Sequence, residues 1–151
     1  MRVALDTNIL IYAVGVNDAH KQDLILDFLA EIPPYDVVLS VQVLAEFYRV
    51  CTGKAGFSRQ EAALLTRSWR QRHTIVGTFD PVFDRSIDLA MRHRFTIWDS
   101  IVVASSVEAK CKLLLSEDMH HGFTWSGVTI VNPFIDPMHP LLELALGGHS
   151  T

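Results

Sequence analysis

Five short runs of apolar residues, Val3 to Leu5, Val37 to Leu39, Thr74 to Val76, Leu113 to Leu115 and Val128 to Val131, are separated by stretches with helical spacing. Such alternation restricts a chain to a parallel α/β architecture, because parallel neighbours need a crossover between them and a helix is the usual one. The runs are almost uninterrupted in apolar residues, as strands covered on both faces must be. Their ends are as informative as their middles. Asp6 directly follows the first, Asp99 follows Thr96-Ile97-Trp98, and Asp118 stands just past the fourth, in Ser116-Glu117-Asp118. Ligands of open α/β sheets bind beyond the carboxyl ends of the strands, so acids distant in sequence can meet there.

The helical segments carry their own punctuation. Leu24, Ile25, Phe28, Leu29 and Ile32 form a stripe at three- and four-residue spacing, closed by Pro33-Pro34. Ser40 is placed to cap a helix through Val43, Leu44, Phe47 and Val50, with Gly53 beyond its end. Ser58-Arg59-Gln60-Glu61 has the spacing of a capping box and leads into Ala62, Leu65 and Trp69. Asp80-Pro81 suits an N-cap followed by proline, with Phe83, Ile87, Ala90 and Met91 as the expected buried face. After Asp99, Ile101, Ala104, Ser105 and Glu108 continue a helix whose small side chains permit close packing on the sheet.

Size and charge set limits on function. At 151 residues and 49% hydrophobic content, the chain suits one domain with a substantial core. The tail reads differently: Pro133, Pro137 and Pro140 break regular structure, and the glycine-rich end from Gly147 suggests disorder. The expected division is a domain over 1–134 and a tail over 135–151, whose Leu141, Leu142, Leu144 and Leu146 need cover. The net charge is −4, the sum of Asp6, Glu46, Asp99 and Asp118 alone, so the rest of the chain is neutral. A general basic field for nucleic acid is therefore excluded, and a local basic rim is not. Cys51 and Cys111 sit among apolar neighbours without zinc-ligand spacing, which favours buried free thiols in a reducing compartment. Only three apolar residues separate Arg2 from Asp6 and no run reaches spanning length, so a soluble cytoplasmic protein is expected.

Each acid alone has a plainer explanation. Asp6 and Asp99 suit helix caps, and Asp118 suits a turn. Glu46 is more telling, because it interrupts Val43-Leu44-Ala45-Glu46-Phe47-Tyr48, and Arg49 at i+3 is expected to overlap it only in part. Together the four form a pattern. Asp6-Thr7-Asn8 after the first strand, Ala45-Glu46-Phe47 in a helix after the second, Trp98-Asp99-Ser100 before a late helix and Ser116-Glu117-Asp118-Met119 after the fourth strand resemble the four acidic positions of PIN-domain ribonucleases, most closely the VapC-type toxins of bacterial toxin–antitoxin modules.

That resemblance covers about residues 2 to 134 and implies a three-layer fold, with a central parallel sheet ordered 3-2-1-4-5 and helices on both faces. It implies hydrolysis of RNA phosphodiesters with magnesium or manganese. Asp6 and Asp99 would be the principal ligands, and Glu46 and Asp118 would complete the acidic cluster; Thr7, Asn8 and Ser116 would orient them through hydrogen bonds. Attack by water implies products with 5′-phosphate and 3′-hydroxyl ends. A cognate antitoxin is the implied protein partner, RNA the substrate, and a homodimer the implied assembly, through Leu24 to Ile32 or the tail.

Other residues carry smaller expectations. Arg67, Arg70, Arg72 and His73, with Arg92, His93 and Arg94, suit either an RNA backbone or solvated helix ends. Trp69 and Trp98 are expected in the core, and Trp125, between Gly122 and Gly127, is expected to be exposed. His120-His121 is not expected to bind metal, since adjacent imidazoles diverge and magnesium prefers oxygen. Rival readings fit less well. A receiver domain wants an acidic pair after its first strand, where Asp6-Thr7 stands, and a haloacid-dehalogenase-type phosphatase wants an Asp where Asn8 stands. A PIN-fold nuclease outside a toxin–antitoxin pair, or a non-catalytic binding module, remains as the alternative.

Overall fold

In the computed structural model, which describes residues 1–147, the five expected strands form: β1 (Val3–Leu5), β2 (Val37–Ser40), β3 (Thr74–Val76), β4 (Leu113–Leu115) and, last in sequence, β6 (Val128–Val131). A further two-residue strand, β5 (Thr124–Trp125), runs antiparallel to β6 at the sheet edge. The order is therefore β3-β2-β1-β4-β6-β5, the expected parallel arrangement with one short strand added. Two residues flanked by Gly122 and Ser126-Gly127 are too short to show period-two alternation, which is why β5 leaves no trace in the pattern. β1, β2, β4 and β6 are buried along their whole length, as the apolar runs require.

Among the described residues seven α-helices accompany the sheet: α1 (Thr7–Ala13), α2 (Ala19–Glu31), α3 (Val41–Thr52), α4 (Arg59–Arg72), α5 (Asp80–His93), α6 (Ile97–Glu108) and α7 (Pro140–Ala145). Their starts follow capping chemistry. The Ser40 hydroxyl accepts from the Val43 amide at 3.1 Å, and Ser58 and Glu61 close a reciprocal capping box. Phe47 of α3 and Trp69 of α4 meet edge-to-face at 6.4 Å, so Trp69 is a core residue. Cys51 and Cys111 are buried free thiols, and burial pushes Cys111 up to about 12.

One face is the reverse of that expected. α5 begins after Phe79, with Asp80 and Pro81 already helical, and it buries Val82, Ser86 and Leu89. Phe83, Ile87 and Met91 face solvent, Met91 at 70% exposure. The helix carries two apolar stripes, and the slimmer one packs against α6, whose own buried surface includes Ser100, Ala104, Ser105 and Ser106. Small side chains on both helices permit an approach that Phe83 and Ile87 would block.

The tail is docked as far as it is described. Leu142 of α7 is fully buried in the same core as the sheet, and Leu141 and Leu146 pack against it, while Leu144 is exposed. The disorder expected beyond Gly147 falls outside the described residues. Replacing a buried leucine by alanine removes apolar burial and leaves a cavity, so Leu142→Ala is expected to lower the unfolding free energy by about 2–5 kcal/mol in urea titrations. A loss below about 1 kcal/mol would mark residues 135–151 as an appendage rather than part of the folding unit.

Candidate active site

β1 is followed in the chain by its neighbour β2 on one side, yet β4 occupies its other side, so the strand order reverses between β1 and β4. A crevice opens at such a switch point because the flanking crossovers depart in opposite directions. The ladder extends one residue past each strand: the Asp6 amide donates to Leu115 O at 2.9 Å and the Ser116 amide to Val131 O at 3.1 Å. Asp6 and Ser116 are thereby placed side by side at the crest of the sheet, and the Ser116 hydroxyl donates to Asp6 Oδ2 at 2.8 Å. Asp6 Oδ1 accepts from the Thr7 amide at 2.8 Å, so one carboxylate caps α1 and faces the crevice together.

An open cleft of about 820 Å³ lies above this crest, and Asp6, Glu46, Asp99 and Asp118 all line it. Asp118 is oriented by Asn8, whose Nδ2 donates to Oδ2 at 3.1 Å, while Asn8 Oδ1 accepts from the Glu117 amide at 3.3 Å. Asp99 lies in the first turn of α6, its amide donating to the capping Thr96 hydroxyl at 3.1 Å. Three of the acids feel one another. Burial, offset in part by Ser116 and Thr7, and then the charges of Asp99 and Asp118 lift the Asp6 carboxyl to about 6. Burial and then Asp118 also raise Asp99.

Glu46 stands apart from that trio. Arg49 donates to its Oε2 from Nε at 3.1 Å and Nη2 at 2.9 Å, so the expectation that Arg49 overlaps it only in part is corrected: the pair is fully formed. On an exposed helix edge the long guanidinium reaches back one turn, and i,i+3 spacing suffices. Trp98 is likewise misplaced by sequence reasoning. It is 66% exposed and lines the cleft, because Ile101, Val102 and Val103, deeper in the helix, already fill the buried positions around it. Trp125 is half-buried in β5, where it packs against the core.

Sequence reasoning missed a polar cluster at the cleft wall. Lys21 Nζ donates to Glu117 Oε2 at 2.6 Å and to the Tyr12 hydroxyl at 3.4 Å, and that hydroxyl donates to Glu117 Oε1 at 2.8 Å. Glu117 directly precedes Asp118, so this cluster ties the loop after β4 to α1 and α2. Only the charge of Glu117 beside Asp118 hinted at it. The basic clusters fall elsewhere: none of Arg67, Arg70, Arg72, His73, Arg92, His93 and Arg94 lines the cleft. Arg72 lies 5.3 Å from the Trp69 ring centre, and the His73 ring bonds Pro34 O. His121 Nδ1 accepts from the Asn132 amide at 2.9 Å, and the His120 ring meets Phe95 edge-to-face at 5.4 Å.

A family model for the PIN domain matches residues 3–121. The chain belongs to the PIN-domain family. Solved PIN-fold structures align over most of its length. The Mycobacterium tuberculosis VapC20 toxin, described as cleaving the sarcin-ricin loop, is 15% identical with a TM-score of 0.62, covering 74% of this chain and 86% of its own. A Klebsiella pneumoniae toxin–antitoxin complex is 20% identical with a TM-score of 0.62, covering 87% and 98%. Rickettsia felis VapBC2, bound to a DNA fragment from its promoter, is 17% identical with a TM-score of 0.56, covering 78% and 89%. At these identities the likeness is one of fold. No curated protein sequence matches the chain.

Within this PIN domain the buried carboxyl has a measurable signature. The folded state keeps a proton on Asp6 up to about pH 6, whereas an ordinary carboxyl loses it near 3.8. The stabilising contribution of neutral Asp6 is therefore complete below about pH 3.8 and lost as pH rises through about 6. Asp6→Asn keeps an acceptor for the Thr7 amide and never ionises. In chelator-treated buffer it is expected to exceed the native protein in stability by up to about 3 kcal/mol near pH 7.5, the difference shrinking towards pH 4. Urea unfolding across that range measures it, and a pH-independent difference would contradict the assignment.

Proposed function

We propose that this chain is a metal-dependent endoribonuclease, acting as the toxin of a toxin–antitoxin pair. The observation that carries the reading is the confinement of the Asp6, Asp99 and Asp118 carboxylates at the β1–β4 switch point, where the charges of Asp99 and Asp118 raise the proton affinity of Asp6 and the charge of Asp118 raises that of Asp99. Among the described residues no group of three His, Cys, Asp or Glu side chains stands ready-made to hold a metal ion. The donor set nonetheless fits one: every candidate ligand is a carboxylate oxygen, suited to hard magnesium or manganese, and the trio has an excess of negative charge that a divalent ion would relieve.

Asp6 and Asp99 would hold the ion, with Asp118 and Glu46 completing the ring of oxygens. When bound, the ion supplies a more acidic water as nucleophile and neutralises charge on the phosphate oxygens. The chain's own residues do the positioning. Ser116 and the Thr7 amide fix both oxygens of Asp6, Asn8 aims Asp118, and Arg49 holds Glu46 to the opposite wall. Thr7, Asn8 and Ser116 thus serve as orienting partners, a role that restricts the carboxylates to one geometry.

The toxin role draws on the structural neighbours, several of which are toxins or toxin–antitoxin complexes. An antitoxin that inserts a basic side chain among the acids would replace the ion electrostatically. A homodimer is part of the proposal. Ile25 and Phe28 of α2 and Ile32 just past its end face inward, so Phe83, Ile87 and Met91 of α5 offer the more exposed apolar surface for it. A cytoplasmic setting is part of the proposal; among the described residues no helix is long and apolar enough to cross a membrane.

Single-stranded RNA incubated with the protein and magnesium or manganese is expected to be cut to 5′-phosphate and 3′-hydroxyl ends. Asp6→Asn or Asp99→Asn should lower the rate by about 10²–10³-fold, the scale of losing one charge-stabilising group, and excess chelator should abolish cleavage. Gel analysis of end-labelled RNA reads all three. A 2′,3′-cyclic phosphate product, or cleavage untouched by chelator and by either substitution, would defeat the reading.

A further inference from the structure

Among the described residues two aromatic side chains line the cleft: Tyr12 is engaged with Lys21 and Glu117, and Trp98 is left unused by the proposed chemistry. It is 66% exposed, although an indole gains more from burial than most side chains. Its backbone is not loose. Thr96 caps the helix one turn back, and Gln42 Nε2 donates to the Trp98 carbonyl at 3.0 Å, tying the first turn of α6 to α3. A solvent-facing ring on this fixed backbone is adjacent in sequence to Asp99. The same cleft carries two cationic side chains, Arg49 and Lys54. Arg49 spends Nε and Nη2 on Glu46, leaving Nη1 for an anion.

We propose that Trp98 is a nucleobase platform, stacking the base of a nucleotide next to the scissile phosphodiester, with Arg49 and Lys54 taking neighbouring phosphates. This rests on the ribonuclease reading above and names the form of its substrate. Every base has a π face, so one indole accepts any of them. In a duplex those faces are covered by the stack. In a single strand or loop they are free, and the platform therefore selects unpaired RNA. With the backbone of α6 already fixed, only the two side-chain torsions of the indole need be ordered when the base arrives. The arrangement also divides labour across the cleft, with acids around the scissile bond and an aromatic face and cations flanking it.

The test separates binding from cleavage. Asp6→Asn removes one repelling carboxylate and silences cleavage, so fluorescence anisotropy with a labelled single-stranded RNA of about a dozen nucleotides, in magnesium, reads affinity alone. On that background Trp98→Ala is expected to weaken binding by about 5–150-fold, and Trp98→Phe by less than about 5-fold, because one aromatic face replaces another. A fully abasic strand of the same length should bind the parent as weakly as normal RNA binds Trp98→Ala. It should bind Trp98→Ala no more weakly still. With Asp6 restored, Trp98→Ala should raise KM while leaving kcat within about 3-fold, and thermal melts should be unchanged, since an exposed ring contributes little to the core. Undiminished RNA affinity in Trp98→Ala, or equal losses for the abasic strand with and without Trp98, overturns the platform while wild-type cleavage upholds the nuclease. Wild-type protein that neither binds nor cuts RNA overturns both.

Discussion

Repulsion among Asp6, Asp99 and Asp118 is the constraint around which the upper side of this molecule is organised. Like charges at close range and low dielectric would swing apart if their side chains were free; Asp6 and Asp118 are instead held by neutral donors, and Asp99 is fixed through its backbone amide on Thr96. The donors come from the elements that also build the fold. The Thr7 amide belongs to the first turn of α1, Ser116 to the register of β4, and Asn8 to α1. Because the ladder between β1 and β4 sets where Asp6 and Ser116 stand, the buried apolar strands below determine the geometry of the charged groups above.

The same coupling explains why Glu46 differs. It comes from α3, on the opposite wall, and its partner is a cation rather than a neutral donor. A carboxylate already paired with Arg49 adds little repulsion to the trio and keeps its charge in place. Lys21 acts comparably on Glu117, so two of the five acids lining the cleft are matched by cations and three are not. The unmatched negative charge is concentrated at the switch point, where an approaching cation meets the strongest field.

Much of this was legible in the residues because short-range rules decide it. Ser40, Ser58 and Asp6 announce helix starts through capping, and the five apolar runs announce strands of a parallel sheet, whose order only the family resemblance implied. The acids at strand ends announce the cleft. What escaped depends on choices between equally good local solutions. α5 has two apolar stripes, and only the shape of α6 selects Val82, Ser86 and Leu89 over Phe83, Ile87 and Met91. Arg49 had more than one direction open to it, and the exposed edge of α3 gave it Glu46. Lys21 and Glu117 are 96 residues apart, and no local pattern joins them.

Trp98 shows most clearly how hydrophobicity misleads when the site is not known. A tryptophan followed by Ile101, Val102 and Val103 reads as one more core residue, yet its position in the first turn of α6 lies above the sheet rather than against it. Turning it inward would displace Asp99 from the cleft, because residues adjacent in a helix are rotated by a fixed angle of about 100°. A helix that must present Asp99 at its N-terminal turn and bury Ile101, Val102 and Val103 beneath has few orientations left. The exposure of Trp98 is thus a consequence of the same requirement that places the carboxylate.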